Sequence, residues 1–164
     1  MKAWLGLGSN LQHPLQRLWE AIDRLEQLEG IEVENVSSFY LTPPWGDKEQ
    51  NDFINAVAQV ETGLDPISLL HALQEIEGKM GRQRSERRWG PRLIDLDLLL
   101  FGDQQYHSDE LDLPHPRMVE RAFVLVPLCE LAATLEIPGH GVVEKLLAQV
   151  DSSGIIKLSD EGLD

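Results

Sequence analysis

Apolar positions in the first hundred residues alternate between a period of two and a period near 3.6, and the order of these periods predicts the architecture. Residues 2–9 form an apolar run ending in glycines and read as a first strand. Pro14 then opens an amphipathic helix with Leu15, Leu18, Trp19, Ile22, Leu25 and Leu28 on one face and Gly30 just past its end. Residues 31–41 read as a second strand with broken alternation, and Thr42 to Asp52, which holds Pro43, Pro44 and Gly46, is a loop. Phe53 to Thr62 is a cleaner strand, with Ile54, Ala56, Ala58 and Val60 on one side and Phe53, Asn55 and Val57 on the other. Asp65 caps and Pro66 begins a second helix, which turns Leu69, Leu70, Leu73 and Ile76 inward and ends near Gly81.

A basic segment leads into a further apolar strand carrying Asp95 and Asp97. The resulting β-α-β-β-α-β order predicts an α/β (α+β) fold of ferredoxin-like type, an antiparallel sheet with helices on one face and an uncovered face that can carry a site. Residues 103–117 are polar and include Pro114-His115-Pro116. Two C-terminal helices are expected, Met118 to Ala133 with an interruption at Pro127, and Val142 to Val150. A single domain over 1–158 with a frayed acidic tail at 159–164 accounts for the whole chain, which is long enough to bury a core without disulfides.

Charge narrows the function. The 164 residues hold 14 Lys+Arg against 28 Asp+Glu, a formal charge of −14, yet Lys79, Arg82, Arg84, Arg87, Arg88 and Arg92 crowd a segment whose only acid is Glu86. The overall charge disfavours nucleic acid and anionic membranes, and the local patch suits a small, multiply charged anion. A charge cluster of this kind is usually only a solvated loop; the embedded Trp89 and the aspartates that follow it point to function. Asp95 and Asp97 lie two residues apart on a strand, so their carboxylates share a face about 6.6 Å apart. Such a pair repels unless a cation lies between, and hard oxygen ligands suit Mg²⁺, which completes its shell with water and phosphate. The lone Cys129 sits in an apolar run and reads as an inert thiol. An N-terminus that turns polar early and the lack of a membrane-length apolar run predict a soluble, cytoplasmic protein, expected to be a monomer with small-molecule partners.

Other residues leave alternatives open. Gly6-Leu7-Gly8-Ser9-Asn10 resembles a phosphate-cradling turn, or its glycines permit close packing beneath a neighbouring group. Asn55 offers a donor and an acceptor to a planar heterocycle and Phe53 a ring to stack on one, or both belong to an ordinary half-buried strand. Gln74 and Glu77 project near the start of the basic segment, and His115 is either a rigid loop histidine or a phosphate donor. Ser37 and Ser38 lack the partners of a nucleophilic triad.

Gly8-Ser9-Asn10, Ser37-Ser38-Phe39-Tyr40 with Thr42-Pro43-Pro44, Phe53-Ile54-Asn55-Ala56, and Arg88-Trp89-Gly90-Pro91-Arg92-Leu93-Ile94-Asp95-Leu96-Asp97 stand in the order and spacing of one family. Over nearly its whole length the chain resembles the 6-hydroxymethyl-7,8-dihydropterin pyrophosphokinases of folate biosynthesis. The resemblance implies a ferredoxin-like fold, ATP as co-substrate, two Mg²⁺ ions, and transfer of diphosphate to the pterin hydroxymethyl group with release of AMP. It implies that Asp95 and Asp97 bind the metals, and that Arg82 and Arg92 neutralise phosphate charge during catalysis. Arg84, Trp89, His115 and Arg121 would lie near the nucleotide, with Gln74, Glu77 and Leu98 on the adenosine side. Asn55 and backbone groups around Thr42, Pro44 and Trp45 would read the pterin edge, and Phe53 and Phe123 would stack on it. Phe53 stands where tyrosine is commoner and Trp45 where a smaller aliphatic residue is found. Glu110 and Asp112 replace a basic residue and a hydroxyl that some members have. Two other classes compete: a nucleic-acid module presenting Trp89, Phe53 and the arginines to single strands, and a ligand-sensing domain without turnover.

Overall fold

The computed structural model describes residues 1–11, 13–43, 52–81 and 94–158. Strand β1 (Lys2–Ser9), helix α1 (Pro14–Glu26), strands β2 (Ile31–Val36), β3 (Tyr40–Thr42) and β4 (Phe53–Thr62), helix α2 (Pro66–Lys79) and strand β5 (Asp95–Phe101) form the main body. All pairings are antiparallel: β1 lies between β4 and β5, while β2 and β3 both pair with the far edge of β4. Strand β10 (Ile156–Lys157) adds to the outer edge of β3. The expected strand–helix order is thus present, and β4 runs over the residues its alternation predicts.

Alternation along β1 and β4 divides the sheet into two faces. Ala3, Leu5 and Leu7 with Ile54, Ala56, Ala58 and Val60 pack on α1 and α2, in a cluster with Leu18, Leu25, Leu69 and Leu73. These four helix leucines are fully buried, and truncating any one to alanine typically costs about 2–5 kcal/mol. Trp19, expected on the inner face of α1, is 43% exposed; Ala21 is buried instead, and the indole lies against the edge of the core with its ring centroid 5.1 Å from that of Phe39. Asp65 caps α2 as expected, accepting the Ser68 N–H at 2.7 Å, and Gly81 follows the end of α2 with φ +86°, a left-handed value that suits glycine.

The second face is not left uncovered. A 3-10 turn (Met118–Glu120), α3 (Ala122–Ala132) and α4 (Val143–Leu147) cover part of it, burying Trp4, Val57, Leu99 and Leu100 against Met118, Val124, Leu125 and Leu128. A register shift supports this contact: Leu5 pairs with Leu98 but Trp4 with Leu100, so Leu99 is an extra residue on β5. Leu99 and Leu100 consequently both join the cluster under α3.

Four further expectations change. Helix α3 runs through Pro127 without interruption, because the ring is buried with Val124, Leu125 and Leu128 and the packing offsets the missing N–H bond. Strand 31–41 divides at 37–39, where the Ser37 hydroxyl accepts the Val57 N–H at 2.9 Å and takes over part of the ladder. The polar stretch 103–117 contains a hairpin of β6 (Tyr106–His107) and β7 (Asp112–Leu113), and the last predicted helix is shorter than 142–150. Strands β8 (Glu136–Ile137) and β9 (Gly141–Val142) form a separate ribbon after α3.

Candidate active site

The part of the second face that α3 does not cover centres on two glycines. Gly6 and Gly8 of β1 are the cross-strand partners of Asp97 and Asp95 on β5, and of Val57 and Asn55 on β4. Directly opposed residues of antiparallel strands point to the same side, so both aspartates and Asn55 rise from one surface with glycines between them. A Cβ on Gly8 would lie 2.5 Å from Asn55 Oδ1. Gly6 and Gly8 belong to a strand and not to a phosphate-binding turn; of the two readings of this segment, close packing beneath a neighbour is the one observed.

Asn55 is buried, and its Nδ2 donates to Thr42 Oγ1 at 2.7 Å. That bond fixes the amide orientation and leaves Oδ1 over Gly8. Phe53, two register pairs further along β4 and so on the same face as Asn55, lies beside Thr42 and is only half-buried. Phe123, in the first turn of α3, packs against the second hydrophobic cluster on the same side of the sheet, and the Arg121 guanidinium lies 5.5 Å from its ring centroid.

On the β5 side the floor continues into a cleft of about 310 Å³ between α2, β5, the β6–β7 hairpin and the segment around His115. Gln74, Glu77, Asp95, Asp97, Leu98 and His115, all singled out from the sequence, line it. Glu77 is not a solvated helix residue. It is 6% exposed, and its Oε2 accepts the Leu96 N–H at 2.8 Å, so α2 grips the backbone between the two aspartates. The hairpin adds Glu110 and Asp112, together with Ser108 and Asp109, which sequence reasoning did not single out. Glu110 pairs with His71 Nε2 at 2.7 Å and Asp112 with His107 Nδ1.

His115 is anchored twice: its own N–H donates to the Leu99 carbonyl at 2.9 Å, and its Nδ1 accepts the Arg117 N–H at 3.2 Å. The second bond assigns the neutral ring's proton to Nε2. Burial, followed by the positive charge of Arg121, pushes the imidazole down to about 4 in spite of Asp95. His115 is therefore a neutral donor at pH 7.

Among the described residues the ionisable lining of this cleft is acidic apart from neutral His115, with no lysine or arginine. These described carboxylates by themselves disfavour a bare polyphosphate. A hard divalent cation held by Asp95 and Asp97 fits the donor set and reverses the local field. Arg82, Arg84, Trp89, Arg92, Pro44 and Trp45 lie outside the described residues. Sequence reasoning missed Glu130 of α3, which binds the Ser38–Tyr40 segment; its partners are some ninety residues away in the chain, so no local pattern marks it.

The comparisons with known proteins agree on one relationship. A family model described as 7,8-dihydro-6-hydroxymethylpterin-pyrophosphokinase matches residues 4–133. The 2-amino-4-hydroxy-6-hydroxymethyldihydropteridine pyrophosphokinase of Haemophilus influenzae is 42% identical over 157 residues, 96% of this chain and 98% of the relative. That of Methylorubrum extorquens is 47% identical over 154 residues, 94% and 96% of the two chains. Among solved structures, wild-type Plasmodium falciparum HPPK-DHPS with pteroate superposes with a TM-score of 0.70 at 16% identity, over 90% of this chain and 42% of that one, a likeness of fold. Matched by the family model over most of its length and by relatives along nearly all of it, this chain belongs to the 7,8-dihydro-6-hydroxymethylpterin-pyrophosphokinase family.

Proposed function

We infer that this chain transfers diphosphate from ATP to the hydroxymethyl group of 6-hydroxymethyl-7,8-dihydropterin and releases AMP, a step of folate biosynthesis. The observation that carries the reading is the glycine floor with Asp95 and Asp97 on one side and Asn55 on the other, opening into an acidic cleft. That arrangement supports a metal-bound triphosphate beside a hydrogen-bonding edge for a planar ring. The β5-β1-β4-β3 order supports a ferredoxin-like arrangement extended by C-terminal helices.

In the reaction the pterin hydroxyl oxygen forms a bond to the β-phosphorus, the bond from that phosphorus to the oxygen bridging to the α-phosphate breaks, and AMP departs with that oxygen while the hydroxyl proton is lost. Such transfers depend on in-line placement and charge stabilisation more than on a strong base. Asp95 and Asp97 would hold two Mg²⁺ ions. Bound magnesium supplies charge neutralisation at the phosphate oxygens. Gln74, Glu77 and Leu98 form the nucleoside wall, with Glu77 also holding β5, and His115 donates from Nε2 toward the phosphates. Arg121, by its charge, belongs with the nucleotide. Asn55 and Thr42 read the pterin edge, and Phe53 and Phe123 stack on the ring. Arg82 and Arg92 are assigned to phosphate neutralisation in catalysis, Arg84 and Trp89 to the nucleotide, and Pro44 and Trp45 to the pterin, on the sequence resemblance.

Among the described residues no helix is long and apolar enough to cross a membrane. The net charge of −14 supports small-molecule partners over nucleic acid or anionic membrane, and the chain would act as a cytoplasmic monomer. Incubation with ATP, Mg²⁺ and the dihydropterin tests the function: ATP consumption should require all three, and consumption independent of the pterin would reject it.

A further inference from the structure

We propose that Glu130 of α3 is a positioning residue that sets the geometry of the pterin side of the site by tying α3 to β3. The proposal rests on the assignment of Thr42, Phe53, Asn55 and Phe123 to the pterin.

Glu130 stands seven residues after Phe123, two helical turns along the same face of α3. Its Oε2 accepts the Ser38 N–H at 2.9 Å and the Ser38 hydroxyl at 3.1 Å, and its Oε1 accepts the Tyr40 hydroxyl at 2.5 Å. Three donors, one of them backbone, converge on one carboxylate. Charge-assisted hydrogen bonds of this kind are about twice as strong as neutral ones. Burial acts upward on the Glu130 carboxyl as the largest single influence, yet the bonds from Tyr40 and Ser38 together hold it below its ordinary value, so it is ionised at pH 7. Tyr40 is raised correspondingly, by burial first and then by Glu130, and stays protonated as a donor.

The clamp acts at a gap in the strand pairing. Residues 37–39 separate β2 from β3, and β3 is only three residues long, Tyr40 to Thr42. Tyr40 is the register partner of Asn55, and Thr42 is the register partner of Phe53 and the acceptor of the Asn55 amide. A shift of β3 therefore moves Thr42, frees the Asn55 amide to rotate, and changes the spacing between the β4 edge and Phe123 on α3. One carboxylate joins the two walls.

The test compares Glu130→Ala, Glu130→Gln and Tyr40→Phe in the full chain for KM of each substrate, kcat, thermal midpoint and amide exchange. Glu130→Ala should raise the dihydropterin KM about tenfold, the loss expected for a charged hydrogen-bond centre, while the ATP KM stays within about twofold. Exchange at residues 38–42 should accelerate. Glu130→Gln keeps an oxygen for Ser38 and an amide within reach of Tyr40 and should recover most of the affinity, and Tyr40→Phe should show a smaller, equally selective rise. Equal rises in both KM values, or a lowered thermal midpoint with an unchanged dihydropterin KM, would overturn the proposal. If Glu130→Ala does not fold, an unchanged dihydropterin KM in both other variants overturns it too. Failure of the unaltered protein to use the dihydropterin would instead remove the pterin assignment, and the proposal with it.

Discussion

Asp95 and Asn55 are both cross-strand partners of Gly8, Asp95 from β5 and Asn55 from β4. Two interstrand steps of about 4.8 Å separate them by roughly 10 Å, with only hydrogen on the intervening Cα. A metal-bound phosphate chain and a ring hydrogen-bonded to Asn55 can thus meet over an unobstructed floor. Gly8→Ala places a methyl 2.5 Å from Asn55 Oδ1. Because Asn55 is buried and bonded to Thr42, the displacement should cost about 1–2 kcal/mol. The expected outcome is a roughly tenfold rise in dihydropterin Kd with little change for ATP; calorimetric titration of each ligand checks it, and equal losses would assign Gly8 to the fold.

Asp95→Asn and Asp97→Asn should each lower kcat by at least about a hundredfold, a loss typical of removing one group that stabilises transition-state charge. Both side chains are half-buried on the open face, so thermal stability should change little. Chelation of Mg²⁺ should weaken ATP binding in the unaltered protein, because Asp95, Asp97 and the acidic hairpin residues would then face the triphosphate without the metal. Full activity of either variant at saturating Mg²⁺ would remove the metal assignment.

Glu77→Ala leaves the buried Leu96 N–H without its carboxylate, which should destabilise the protein by about 1–3 kcal/mol. Glu77→Gln keeps an acceptor and should lose less. Denaturant titration of both gives the comparison, with kcat falling alongside stability if the grip on β5 orients the aspartates.

His115 supplies a pH dependence. Unfolded, its imidazole titrates near its ordinary value of 6.5; folded, it is held down to about 4, by burial first and then by Arg121. Between those values the unfolded chain binds a proton that the folded chain does not, so this group's contribution to stability is full above pH 6.5 and is lost as pH falls toward 4. Proton NMR of the ligand-free protein should show His115 neutral at pH 5.5, and His115→Gln should flatten the stability profile over that window. A midpoint near 6.5 would contradict the assignment.

Much of this was legible because local chemistry and tertiary structure agree. The alternation of Phe53 to Thr62, the Asp65 cap and the Asp95/Asp97 pair each encode their element or face within a few residues. What was not legible depends on distant partners. Pro127 predicts a break that burial of α3 overrides, and Trp19 fits the helical stripe yet lies at the core's edge. Glu77 shows only as an acid near the basic segment until β5 arrives with Leu96, and Glu130 carries no signal until α3 folds onto Ser38 and Tyr40. The glycines of β1 resemble a phosphate loop in sequence, whereas the pairing on both sides makes them a floor.

Phosphorus-31 NMR of a completed reaction with ATP, Mg²⁺ and 6-hydroxymethyl-7,8-dihydropterin resolves which phosphorus of ATP is attacked. Attack at the β-phosphorus gives AMP and a pterin diphosphate in equal amounts, with two coupled phosphorus signals on the pterin product. ADP with a singly phosphorylated pterin would contradict it.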